Sequence, residues 1–134
     1  MVYPSFLEEL AAGRADLVAE EVRVLLVKGY QPDLMHSDRI DVDGEVSGPG
    51  YAQGGQALTG KTLTEEDRAL VFRADPVQWD SASIEATGAV LYLARGAGAS
   101  ADPLVCYFDF GGSRRSRRDV FRLEWGKAGI VVLE

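Results

Sequence analysis

The residues Gly55-Gln56-Ala57-Leu58-Thr59-Gly60-Lys61-Thr62 match the phosphate-binding P-loop pattern letter for letter. Such a loop would cradle phosphates on its backbone N–H groups. Lys61 would reach the terminal phosphates and Thr62 would hold magnesium. Leu104-Val-Cys-Tyr-Phe-Asp109, an apolar run ending in aspartate, could pass for the strand that orients the metal. The context argues against this chemistry. A buried apolar strand must feed a P-loop and a helix must leave it, whereas Gly48-Pro49-Gly50-Tyr51-Ala52-Gln53-Gly54 precedes this one. Residues 63–72 can be forced helical, but the chain lacks the strand–helix alternation of a parallel sheet. A structural loop followed by an edge strand is the expectation. Gly48, Gly50 and Gly54 also miss the dinucleotide fingerprint, with one residue too many in the second gap.

Two further clusters invite chemistry. His36, Asp38, Asp41 and Asp43 suggest a metal, and Asp41-Val-Asp-Gly44 resembles part of a calcium loop. With Gly44 at the sharp turn, Arg39 falls in the first ligand position and Gly50 where the bidentate glutamate belongs, so the pattern fails twice. A solvated acidic turn and a surface or capping histidine are expected. The second cluster, Arg114, Arg115, Arg117 and Arg118, is a local exception in a chain of formal net charge −7. It has three readings: a solvated hairpin tip, a contact for carboxylates of a neighbouring subunit, or a phosphate contact to nucleic acid. The overall charge disfavours the last. The single cysteine, Cys106, excludes an internal disulfide and a cysteine zinc site, and its apolar run makes it a small buried hydrophobe. Trp79 and Trp125 lie in strand-like sequence and are expected to pack in the core. No catalytic residue, cofactor site or metal site emerges.

The elements that carry these residues are short. The chain has 134 residues, 46% of them apolar, which suits one domain with a real core. No run is long and apolar enough for a membrane span, and residues 1–20 lack the pattern of a signal peptide. Residues 3–12 read as a helix, with Pro4 and Ser5 at the start, Glu8 and Glu9 in the first turns, Phe6, Leu7 and Leu10 on one face, and Gly13 at the stop. Residues 21–28 read as a strand. Residues 31–44 form a polar excursion with a helical turn near Leu34–His36. Five glycines and Pro49 between Glu45 and Gly55 make that stretch irregular, with Tyr51 as its anchor, its ring on the core and its hydroxyl near water.

Beyond the glycines the period is two. Residues 56–64 suit an edge-like strand. Arg68–Arg73, Val77–Trp79 and Ile84–Arg95 follow, then Leu104–Phe110, Val120–Trp125 and Ile130–Leu133. In the longest, Ile84, Ala86, Gly88, Val90 and Tyr92 line one face; Glu85, Thr87, Ala89, Leu91 and Leu93 line the other. The arginines fall in the connection after Gly111-Gly112. These strands predict a mainly β fold: a single antiparallel β-sandwich or barrel-like domain, with a short N-terminal helix in 1–13 and the sandwich in 20–134. Trp79, Val90, Leu91, Phe108, Phe110, Trp125 and Val131 are core candidates.

The order of several short motifs spans nearly the whole chain. After the 22–27 strand come Tyr30-Gln31-Pro32, then Glu45-Val-Ser-Gly-Pro-Gly-Tyr-Ala-Gln-Gly-Gly55, then Leu58 to Thr62. Val77 to Trp79, Ile84 to Ala86 and Ala89 to Tyr92 follow, then Pro103 to Gly112 and Trp125 to Ile130. In this order the chain resembles a family of small structural proteins from tailed bacteriophages and prophages. The resemblance implies a non-enzymatic virion component without a cofactor. Its first expectation is a capsid decoration protein on the outside of the head, cementing the major capsid protein and contacting its own copies, away from membranes and nucleic acid. A tail or neck component is the second, and a P-loop nucleotide-binding enzyme is the alternative of a different class. In that family the position of Gly60 need not be glycine, which counts against the P-loop. The four arginines stand where the family has a short serine-and-asparagine turn. Tyr51, Arg114, Arg115, Arg117 and Arg118 are therefore the expected contact residues.

Overall fold

The computed structural model describes residues 1–133; Glu134, the last residue of the expected sandwich, lies outside them. The protein is mainly β, with antiparallel sheets in a sandwich-like arrangement and one short α-helix, as the two-residue period predicts. Helix α1 is Pro4–Ala11, with a proline opening its first turn. Its first turn carries no acidic residue, because Glu8 and Glu9 come too late in the helix to face the N-terminal N–H groups. Gly13, at φ +73°, ends it.

The strands are β1 (Val22–Val27), β2 (Gln56–Ala57), β3 (Thr62–Glu66), β4 (Ala69–Arg73), β5 (Val77–Ala82), β6 (Glu85–Leu93), β7 (Leu104–Arg115), β8 (Asp119–Leu123) and β9 (Val131–Leu133). They form three sheets, ordered β2-β1-β6-β7, β3-β4-β9 and β5-β8. The expected 56–64 strand is thus two strands in different sheets, parted at Gly60, φ +63°. Arg68 is not in a strand. With Asp67 it forms the two-residue turn between β3 and β4, both residues at positive φ.

β1 and β6 pair in full register from Val22↔Leu93 to Val27↔Gly88. Both of their faces are covered, which is why they read as nearly unbroken apolar runs. Val22, Val24, Leu26, Ala89, Leu91 and Leu93 join Phe72, Trp79 and Phe121 in the larger core. Leu25, Val27, Val90 and Tyr92 meet Tyr3, Tyr30, Leu104 and Tyr107 in a smaller one on the opposite face. The expected face assignment holds from Gly88 to Leu93 and fails before it. Ile84 and Ala86 pack in the same core as Ala89 and Leu91, and the β6–β7 register shifts beside them, between Ala86 and Gly88. Ala86 faces Arg114 and Gly88 faces Asp109, so Phe110–Ser113 bulges from β7. That bulge also leaves Phe110 half-buried, as are Phe108 and Trp125, so these three aromatics border the core rather than fill it.

Candidate interaction surface

The arginine cluster is not a hairpin tip. β7 belongs to the four-stranded sheet and β8 to the two-stranded one, so Ser116–Arg118 is where the chain crosses between sheets. The link from β5 to β6 crosses beside it at Ser83–Ile84. Ser116, buried between them, ties the two crossings. Its N–H donates to the Ile84 carbonyl at 2.9 Å and its hydroxyl to the Ala82 carbonyl at 2.8 Å. The Arg118 N–H donates to Ser83 Oγ at 2.9 Å. The four side chains do not form one patch: Arg114 and Arg115, successive in β7, point to opposite faces, and Arg117 and Arg118 lie in the crossing beyond it. Arg115 and Arg117 line a cleft of about 510 Å³ with Lys28, Glu45, Ser47 and Glu85. Arg114 lies instead over the Phe110 ring, 4.8 Å from its centroid.

Glu85 is the electrostatic centre of this cleft. Its carboxylate accepts hydrogen bonds from the Ser113 hydroxyl and from Lys28 Nζ at 3.1 Å, and lies 3.4 Å from Arg115 Nη2. These donors, Ser113 first, hold its pKa down at about 2. Arg115 is therefore answered within the chain. Among the described residues Arg114, Arg117 and Arg118 form no ion pair.

The glycine-rich stretch reaches the same cleft through Glu45 and Ser47, and the Ser83 N–H donates to the Pro49 carbonyl at 2.9 Å. The Tyr51 ring lies on the core, as expected, but its hydroxyl is bonded within the chain. The ring packs 5.8 Å from Trp79, and the hydroxyl donates to Glu45 Oε2 at 2.7 Å rather than meeting water. The Tyr51 hydroxyl oxygen in turn accepts from the Leu26 N–H at 3.1 Å. Burial, then the Glu45 contact, pushes the Tyr51 pKa far up. On this edge of β1, Ala57 and Gln56 pair with Arg23 and Val24, while Val46 and Gly44 bond to Leu26 and Lys28. The Tyr51 hydroxyl completes that series at Leu26. It pins the glycine segment from inside and presents little to a neighbour. Gly55 shows how close the segment lies: at φ +74°, a Cβ there would sit 1.8 Å from the Val24 carbonyl oxygen.

The P-loop letters hold no P-loop geometry. β3 leaves the loop where a helix should. The Lys61 ammonium donates to the Glu20 carbonyl, and the Asp75 carboxylate lies where a side chain on Gly60 would project. A carboxylate there repels phosphate. The acidic turn is also tied internally: a hydrogen-bonded turn at Leu34–Met35 stands where one was expected, closed by the His36 N–H donating to the Asp33 carbonyl at 3.0 Å, and Asp38 and Asp41 cap a further short 3-10 turn, Arg39–Asp41. His36 Nδ1 bonds the Tyr30 hydroxyl at 2.7 Å. No group of three His, Cys, Asp or Glu side chains among the described residues is arranged to hold a metal. Sequence reasoning missed Glu85 and Ser116, common polar residues whose partners lie 28 to 57 positions away, and Glu45, whose partners Tyr51 and Gly54 are near in the chain but reached only through the irregular glycine backbone.

Compared with known proteins, the chain matches no family model, no curated protein and no solved structure.

Proposed function

We propose that this protein is a non-enzymatic structural component of a tailed-bacteriophage virion, a capsid decoration protein on the outside of the head. The order of motifs from Tyr30 to Ile130 supports the family, and one observation carries the mode of action. The glycine-rich stretch and the arginine corner, 68 residues apart from Ser47 to Arg115, border a single open cleft. A decoration protein must grip a shell that is already closed, so it binds through surface. A domain of this size offers about 800 Å² per contact, and attachment gains strength from several weak contacts on one lattice. Arg117 and Arg118, exposed and without internal carboxylates, suit acidic side chains of a capsid subunit or of a neighbouring copy.

The test changes Arg114, Arg115, Arg117 and Arg118 together to serine. The expected variant is folded by circular dichroism but decorates purified particles less fully, with the deficit largest at low salt and narrowing as salt screens the wild-type contacts. Equal occupancy of wild type and variant across the salt series would remove the arginines from attachment. Density for this chain among tail or neck proteins would replace the decoration reading.

A further inference from the structure

A second, larger cleft of about 740 Å³ opens beside Tyr92, bordered by Arg23, Arg39, Arg95, Glu21, Glu45 and Asp102. Most of these charges are already engaged. Arg95 Nε donates to Glu20 at 2.9 Å and its Nη2 to the Arg14 carbonyl at 2.6 Å. Glu45 Oε2 accepts from the Tyr51 hydroxyl and the Gly54 N–H, both at 2.7 Å. Asp102 is buried, 3% exposed. One of its oxygens accepts from Arg39 Nε at 2.8 Å and the other from the Arg95 N–H at 2.9 Å. The Arg39 guanidinium also lies over the Tyr92 ring, 5.1 Å from its centroid. Its Nε edge and one face are thus fixed by a buried carboxylate and an aromatic ring. Among the described residues nothing accepts from its Nη1 or Nη2. Arg23 is held in a similar way: Nε and Nη2 donate to the Gly54 and Gly55 carbonyls at 3.3 and 2.7 Å, while Nη1 stays 3.6 Å from Glu21.

We propose that Arg39, with Arg23 in the same cleft, is a preformed seat for one carboxylate carried on an acidic peptide segment of a partner protein. The inference stands apart from the virion reading. A guanidinium whose orientation is already fixed loses little freedom when a carboxylate pairs with its open edge. The formal charges bordering the cleft cancel, so the attraction for an anion is confined to the open guanidinium edge, which suits one carboxylate and supplies no excess charge for a phosphate dianion. The space far exceeds one carboxylate, and Gly54, Gly96 and Gly98 on its walls let a peptide backbone come close.

The test is an NMR titration of the isotopically labelled protein with acetyl-Ser-Gly-Glu-Gly-Ser-amide, its glutamine counterpart and inorganic phosphate. The glutamate peptide is expected to shift the Arg39 and Arg23 side-chain signals saturably and to bind about tenfold tighter than either other probe. Arg39→Lys keeps the charge beside Asp102 but loses the fork, and should weaken binding about tenfold. Ala94→Glu keeps the Arg39 and Asp102 side chains themselves, places a carboxylate of the chain itself at the cleft, and should abolish binding while the Arg39 signals still report a folded protein. Equal affinity for the two peptides, tighter binding of phosphate, or unchanged binding in Ala94→Glu would each overturn the proposal.

Discussion

Replacing Tyr51 by phenylalanine removes one oxygen that serves two partners. The ring contact with Trp79 at 5.8 Å is kept, so the change isolates the hydroxyl. Leu26, 0% exposed in β1, loses the acceptor of its N–H. A buried donor left without a partner costs about 1–3 kcal/mol. The bond to Glu45 is charge-assisted, a class worth about 1.5–3 kcal/mol. That second loss is partial, because Glu45 keeps the Gly54 N–H and borders an open cleft from which water can replace the phenol. The orphaned Leu26 N–H therefore dominates, and the expected loss is about 2–4 kcal/mol. With an unfolding entropy near 0.3 kcal/mol/K for 134 residues, this lowers Tm by about 10 °C. Urea unfolding followed by tryptophan fluorescence should show a midpoint about 1.5 M lower at an m-value of about 2 kcal/mol/M. Glu45→Gln combined with Tyr51→Phe should lose less than the sum of the single changes, since the two share a bond. A loss below about 0.5 kcal/mol would refute the account of Tyr51 as the pin of this segment.

Three further outcomes are expected. Glu85 is held at about 2, below its ordinary 4.5, so its contribution to stability is present above pH 4.5 and lost as pH falls through 2. The stability gap between wild type and Glu85→Gln should close over that window and shrink in salt; a gap independent of pH would contradict the assigned contacts. Gly55→Ala should prevent folding, because its Cβ would meet the Val24 carbonyl. Gly29→Ala, at φ +76° but with nothing within 4 Å, should cost only the left-handed penalty of about 1–2 kcal/mol, and similar midpoints for the two would be the wrong result. Cys106 is buried and its thiol pushed up to about 12 by that burial, so a disulfide-exchange reagent at pH 8 should label it only as fast as the protein unfolds. Immediate labelling of folded protein would refute this.

The sequence alone determined the features that depend on neighbours along the chain. Alternation of polar and apolar residues identified most strands and the mainly β class, Pro4 and Gly13 bounded the helix, and the apolar setting of Cys106 implied its burial. The glycines before the P-loop letters ruled out the strand that such a loop needs. What the tertiary structure decided was which side each residue faces and what it meets there. Ile84 and Ala86 joined the larger core because of what packs against that end of β6, where the insertion of Phe110–Ser113 interrupts its pairing with β7. The arginines became a corner between sheets because β8 pairs with β5, some 40 residues earlier, rather than with β7. Tyr51 turned inward because β1 left one N–H to satisfy, and Arg39 found Asp102 across 63 positions of chain. Such pairings are settled by burial and by unpaired backbone groups far away in the chain, and no local pattern of residue types encodes them.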